Sequence, residues 1–150
     1  MTSSELLARR NLPLLLLRAR ESALSFHRPA LRKYGLSDQQ WRVLRVLAEC
    51  GVLETGRLAH ETLLAGASLT GIIDRMERGG LVRRKRDQKD KRCTLVEATP
   101  IGTRLARQLS PSIESSYGSL EASLGRQNLA SLYVLLDEVV AAMEKAPGLR

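Results

Sequence analysis

Cysteine, aromatic residues and uninterrupted apolar runs are all scarce in this chain of 150 residues, and each shortage removes a class of function. The two cysteines, Cys50 and Cys93, lie far apart and form no Cys-x-x-Cys pair, so spacing codes for neither a thiolate metal centre nor a redox couple. His27 and His60 join no cysteine or acidic cluster with metal-ligand spacing, and no metal is expected. Aromatics make up 3% of the chain, too few for a platform on which single-stranded bases stack. The densest apolar run, Leu12 to Leu17, contains Pro13 and stops at Arg18. It falls far short of bilayer thickness, so no membrane span is expected. Glycine-rich phosphate loops, nucleophile elbows and His-Glu-x-x-His motifs are missing, which argues against an enzyme and implies no cofactor. At this length a core forms without disulfide or metal staples, and a reducing cytoplasm is the expected compartment.

Positive charge, by contrast, is abundant. The formal net charge is +8 and the isoelectric point about 10.2, which calls for a polyanionic partner. The charge is also concentrated: Arg83 to Arg92 holds seven Lys or Arg against Asp87 and Asp90, a local balance of +5. With few aromatics to stack on unpaired bases, double-stranded DNA is the polyanion favoured.

Breakers and periodicity divide the chain into three zones of one domain spanning 1–150, with no repeat and no long linker. In 5–34, Leu16, Ala19, Ala23, Phe26 and Ala30 recur at helical spacing, and Pro29 should kink or divide that helix. In 100–146, Thr99-Pro100 supplies an N-cap and a first-turn proline, and Ser110-Pro111 should bend the helix begun there. Beyond Gly125, Leu129, Leu132, Leu136, Val139 and Met143 step by three and four. That seam suits a neighbouring helix, whether in the same monomer or in a second copy. Apolar helices at both ends leave more greasy surface than one subunit can hide, which favours a homodimer.

The middle zone, 37–98, carries the chemistry. Ser37-Asp38-Gln39-Gln40 reads as a capping box launching a helix with Trp41, Leu44 and Leu47/Ala48 inside, stopped by Gly51. A short helix over Thr55 to Thr62 and a turn precede a third, Ala67 to Arg78, which places Leu69, Ile72, Ile73 and Met76 on one face. Ser68, Thr70, Gly71, Asp74, Arg75 and Arg78 fall on the others. An ordinary solvated helix has a similar outer face. The next segment is more telling: Leu81 to Arg86 and Arg92 to Ala98 read as two strands joined by a polar turn. Such a basic hairpin can lay Arg84 along phosphates and carry Arg86 and the tip residues Lys91 and Arg92 toward a minor groove.

The run from Ala67 to Val82, together with Asp90-Lys91-Arg92, Leu95 and Thr99-Pro100-Ile101-Gly102, resembles the MarR (multiple antibiotic resistance regulator) family. The resemblance implies a mainly α (α+β) winged helix-turn-helix with N- and C-terminal dimerisation helices, bound as a homodimer to a pseudo-palindromic operator. Carried over by position, Ser68, Thr70, Gly71 and Arg75 would face the major groove, and Lys91 or Arg92 would serve the wing. Asp90 would orient the wing arginine. The chain has Lys91 where many relatives have a second arginine, and lysine cannot reproduce a forked contact; it has Ala67 where many have proline.

Ala19-Arg20-Glu21, Phe26-His27-Arg28-Pro29 and Gln39-Gln40-Trp41-Arg42 further resemble repressors of homoprotocatechuate (4-hydroxyphenylacetate) degradation. This implies repression of an aromatic-acid catabolic operon, relieved by a small aromatic carboxylate. The effector site would draw on Arg20, Ser25, His27, Trp41, Arg42 and Arg45: guanidinium for carboxylate, indole for ring, hydroxyl or imidazole for substituents. Two plainer alternatives stand beside it. Trp41 could be core and the arginines paired with Glu21, Asp38 or Glu49, and the regulator could be ligand-independent or respond to oxidants through Cys50 or Cys93.

Overall fold

In the computed structural model the described residues are 10–145, so the start of the first expected helix, 5–9, and residue 146 lie outside them. Within them the order is α1 (Leu12–Lys33), α2 (Asp38–Cys50), β1 (Leu53–Glu54), α3 (Thr55–Thr62), α4 (Gly66–Arg78), β2 (Val82–Arg86), β3 (Thr94–Ala98), α5 (Pro100–Leu124) and α6 (Arg126–Glu144). The helix starts are chemically fixed. Asn11 caps α1 by accepting from the Leu14 amide at 3.0 Å. At α2, Ser37 Oγ accepts from the Gln40 amide while Gln40 Oε1 accepts from the Ser37 amide, both at 3.1 Å, completing the expected capping box. Thr99 caps α5 through the Gly102 amide, with Pro100 in the first turn.

Neither internal proline interrupts its helix, so of the kink or division expected at Pro29 the division does not occur, and α5 runs on through Pro111. Each proline strips one carbonyl of its helical donor, but both prolines and the residues four positions earlier, Ser25 and Arg107, are exposed, so water can satisfy the freed carbonyl.

The three strands form one antiparallel sheet in the order β1-β3-β2. The hairpin sets Arg83 opposite Glu97 and Lys85 opposite Leu95, and the two-residue β1 sets Leu53 against Val96 on the other edge. A strand that short has no alternation to read, which is why only the hairpin was expected.

One core unites the middle zone with the long helices. Leu31 of α1, Val43, Leu44 and Leu47 of α2, Leu58 of α3, the four apolar residues of α4, Val82 and Val96 of the sheet, and Leu109 and Ile113 of α5 are all buried. Each such side chain contributes roughly 1.5–3 kcal/mol. Ala48 falls on the exposed side of α2 and Trp41 is only half-buried, so the inner face is narrower than expected. Helix α6 has no buried residue, and Leu132, Val139 and Met143 of its seam are 40%, 40% and 57% exposed. The seam does not pack away within the monomer.

The junction of hairpin and α5 is tight. The Thr99 amide donates to the Leu81 carbonyl at 3.0 Å and the Thr99 hydroxyl to the Gly80 carbonyl at 2.5 Å. This brings α5 so close that a Cβ on Gly102 would stand 2.1 Å from the Leu81 carbonyl oxygen. Gly102→Ala should therefore destabilise the fold by about 1–3 kcal/mol, read as a lower urea midpoint at unchanged slope. Gly118→Ala, in the same helix where an added methyl meets nothing, should leave the midpoint level or raise it.

Candidate nucleic-acid interface and adjoining cavity

Burial of Leu69, Ile72, Ile73 and Met76 turns the opposite face of α4 outward, so Ser68, Thr70, Arg75 and Arg78 are exposed and Gly71 half-buried. The Thr70 hydroxyl donates to the Gly66 carbonyl at 2.9 Å, which leaves its lone pairs rather than its proton for an outside partner. Arg75 and Arg78 form no ion pair with any described residue.

Not all of the hairpin's positive charge faces outward. Arg84 was expected along the phosphates; instead its guanidinium turns back onto α4, 2.5 Å from Asp74 and 3.1 Å from Glu77, with a further bond to the Thr70 carbonyl at 3.3 Å. Glu77 also accepts from the Arg84 amide at 2.7 Å. Alternation along β2 explains the reversal, since Arg84 shares the inward phase of Val82. Arg83 and Lys85 converge on Glu97, at 2.5 and 3.4 Å, and Arg83 is the main cause that holds the Glu97 carboxyl below its ordinary range. Arg86, Lys89 and Lys91 pair with no carboxylate among the described residues.

The tip of the hairpin is ordered by its own acids. Asp87 Oδ1 accepts from the Lys89 amide at 2.9 Å, and Asp90 Oδ1 accepts from the Arg92 amide at 3.1 Å and from Arg92 Nε at 3.4 Å. The Arg92 amide is the first cause of the lowered Asp90 pKa. Arg92 itself is 93% exposed, held at its base and free at its end. Beside it, Cys93 is no thiolate: its hydrogen bond to Glu54, then burial, push the thiol up to about 11. A thiol so rarely ionised is a poor nucleophile toward oxidants, which counts against a redox role at that position.

A cavity of about 220 Å³ lies between α2 and α5, lined by Trp41, Arg45, Ala48, Glu49, Ala106, Ser110, Ile113 and Glu114. Of the six residues expected to hold an effector, it gathers two, Trp41 and Arg45. The others are engaged elsewhere. Arg20 pairs with Glu21, its neighbour, at 3.1 Å, and Ser25 Oγ donates to the Ser22 carbonyl at 2.6 Å. Arg42 donates to the Thr62 carbonyl at 2.8 Å. His27 is buried against Ser116 and Tyr117. Pairing of arginines with acids thus accounts for part of the set, including Arg45 with Glu49 at 2.9 Å, the main cause of its raised pKa. Ser110, Ile113 and Glu114 were missed as lining residues because α5 was read only by its cap, its Ser110-Pro111 pair and its place among the terminal dimerisation helices.

A profile of the MarR family matches residues 36–94. The homoprotocatechuate degradative operon repressor of Escherichia coli is 37% identical over 142 residues, covering 92% of this chain and 96% of that protein. Among solved structures, one transcriptional regulator superposes with a TM-score of 0.86 at 39% identity, over 93% of this chain and all of that one. NadR in complex with 4-hydroxyphenylacetate superposes with a TM-score of 0.75 at 34% identity, over 87% of this chain and 93% of that chain. Carrying a helix-turn-helix, a basic hairpin and this likeness along nearly its whole length, the chain belongs to the MarR family of DNA-binding transcriptional regulators.

Proposed function

We propose that the protein is a homodimeric repressor of an aromatic-acid catabolic operon, released from DNA when a small aromatic carboxylate enters the cavity between α2 and α5. The observation that carries this reading is the double duty of α2. One face supplies Trp41 and Arg45 to the cavity, and between them Arg42 donates to the Thr62 carbonyl, at the turn that launches α4. An occupant pressing on α2 therefore acts on the element that presents the DNA-reading helix. Likeness to a homoprotocatechuate operon repressor and to NadR with 4-hydroxyphenylacetate supports the ligand class.

The chemistry suits that class. Trp41 offers a flat wall, and the Arg45–Glu49 bridge is 48% and 62% exposed, a pair worth at most about 1 kcal/mol. An incoming carboxylate can replace Glu49 at little cost. The exposed apolar faces of α1 (Leu12, Leu14 to Leu17) and α6 would close against a second copy. The two-fold axis then repeats α4 and the hairpin on successive half-sites.

The decisive experiment is fluorescence anisotropy on a duplex selected from a random pool, with and without 4-hydroxyphenylacetate, alongside light scattering for mass. Release by the acid from a dimer supports the reading; a dimer that stays bound at saturating acid sinks it. Within the same assay, Arg92→Ala should weaken selected duplex about tenfold or more if its free end enters the minor groove. Arg86→Ala should lower the slope of log affinity against log salt by about one unit, as for a lost phosphate contact. Arg84→Ala should leave that slope unchanged, because the guanidinium is spent on Asp74 and Glu77. For the effector, Trp41→Ala and Arg45→Ala should each weaken calorimetric binding of 4-hydroxyphenylacetate at least tenfold while sparing DNA affinity in its absence.

A further inference from the structure

Behind the cavity sits a buried polar cluster that the proposed function does not use. His27 of α1 is 8% exposed and Ser116 of α5 is 9% exposed, and His27 Nδ1 is hydrogen-bonded to Ser116 Oγ. The Ser116 hydroxyl donates its single proton to the Ile113 carbonyl at 2.7 Å. It can only accept from the imidazole, so Nδ1 carries the ring proton and Nε2 is bare. The His27 ring also meets Tyr117 edge to face, with centroids 4.6 Å apart and planes at 60°. The Tyr117 hydroxyl in turn adjoins the Arg45 guanidinium and, after Glu49 and against burial, helps to raise its pKa. Ile113 and Arg45, one at each end of this chain of contacts, both line the cavity.

We infer that His27 is a positioning residue of the effector cavity: it fixes the turn of α5 bearing Ser116 and Tyr117, the turn that starts from Ile113 in the cavity wall. The inference rests on the effector reading above for its ligand but not for its geometry. The groups facing the imidazole are Arg45 and Asp38 of α2 and Tyr117 of α5, while Arg28 on its own helix is taken up by Glu21 and Asp38. Burial first, then Arg45, holds the imidazole below its ordinary value, with Asp38 opposing. The neutral ring is thus the one that fits, and its contribution is present above the ordinary imidazole range and lost as pH falls through the lowered value. Protonation at the bare Nε2 leaves the Nδ1 donor in place but puts a second charge near Arg45 in a buried site, a cost relieved by moving the ring toward water.

Trp41 is the only tryptophan and lines the cavity, so its emission reports the arrangement without any ligand. In the effector-free full-length protein, emission tracked from neutral pH downward should show one step below the ordinary imidazole range. The step should persist in His60→Gln and vanish in His27→Asn, whose amide can still donate to Ser116 but does not titrate. A step that survives in His27→Asn, or disappears with His60→Gln, overturns the inference. By calorimetry, His27→Phe should weaken 4-hydroxyphenylacetate about tenfold, the worth of one misplaced hydrogen bond, with DNA affinity in its absence unchanged, and His27→Asn should restore most of the loss. Wild-type binding by a folded His27→Phe variant overturns it; if that variant does not fold, the asparagine variant and the emission profile decide. Should the wild type bind no aromatic acid, the effector reading fails, while the emission arm still decides whether His27 governs the cavity.

Discussion

Burial of one stripe of α4 sets the presentation of everything else. Leu69, Ile72, Ile73 and Met76 are each at most 4% exposed, and a helix cannot hide that face without turning the opposite one to solvent. The exposed face carries Ser68, Thr70, Arg75 and Arg78, with Arg84 reaching onto its acidic edge at Asp74 and Glu77. The hairpin is then keyed to the same helix by Arg84, which spans from β2 to Asp74 and Glu77. Hydrophobic burial orients the helix, and a charge-assisted cluster fixes the hairpin relative to it. The two elements of the proposed DNA face, α4 and the hairpin, are therefore tied to each other through Arg84.

That division of labour changes how the basic run should be understood. Read as a string, Arg83 to Arg92 is a uniform positive patch. In the fold, Arg83 and Lys85 neutralise Glu97, Arg84 neutralises acids of α4, and Arg86, Lys89, Lys91 and the free end of Arg92 remain toward the tip. The base of the hairpin uses its charge to hold itself together, and the distal part presents charge outward. Acids that looked like dilution of the patch, Asp87 and Asp90, instead shape the tip by accepting backbone amides.

The elements legible in the sequence were those written in local chemistry. Ser37 with Gln40, Thr99 with Pro100, the 3.6-residue period of α4 and the closing Gly79-Gly80 each depend on neighbours a few positions away, and each survives folding as expected. What could not be read depends on partners far along the chain. Arg84 meets Asp74, ten residues back; His27 meets Ser116, 89 residues away; β1 exists only because β3 passes beside it. The effector set shows the same limit. Trp41 and Arg45, a helical turn apart on α2, share the cavity, whereas Arg20, Ser25, His27 and Arg42, which only the family resemblance placed with them, turn to other neighbours.

The engagement of Arg42 is more informative than its expected role as a ligand contact. A guanidinium on the Thr62 carbonyl satisfies an orphan acceptor in the last turn of α3 and sits favourably at the negative end of that helix. Immediately beyond, Leu63 adopts φ of 53° while 84% exposed, a left-handed conformation that costs a non-glycine residue of order 1 kcal/mol or more. The turn between α3 and α4 is thus held in a mildly strained state by a side chain from α2, the helix that also walls the cavity. A small displacement of α2 would loosen the Arg42 bond, which holds this turn together with the Leu63 and Leu64 amides on His60 and Ala59, and α4 begins three residues later. If the proposed effector binds there, coupling between the cavity and α4 needs no long pathway, because α2 lines the one and holds the turn before the other.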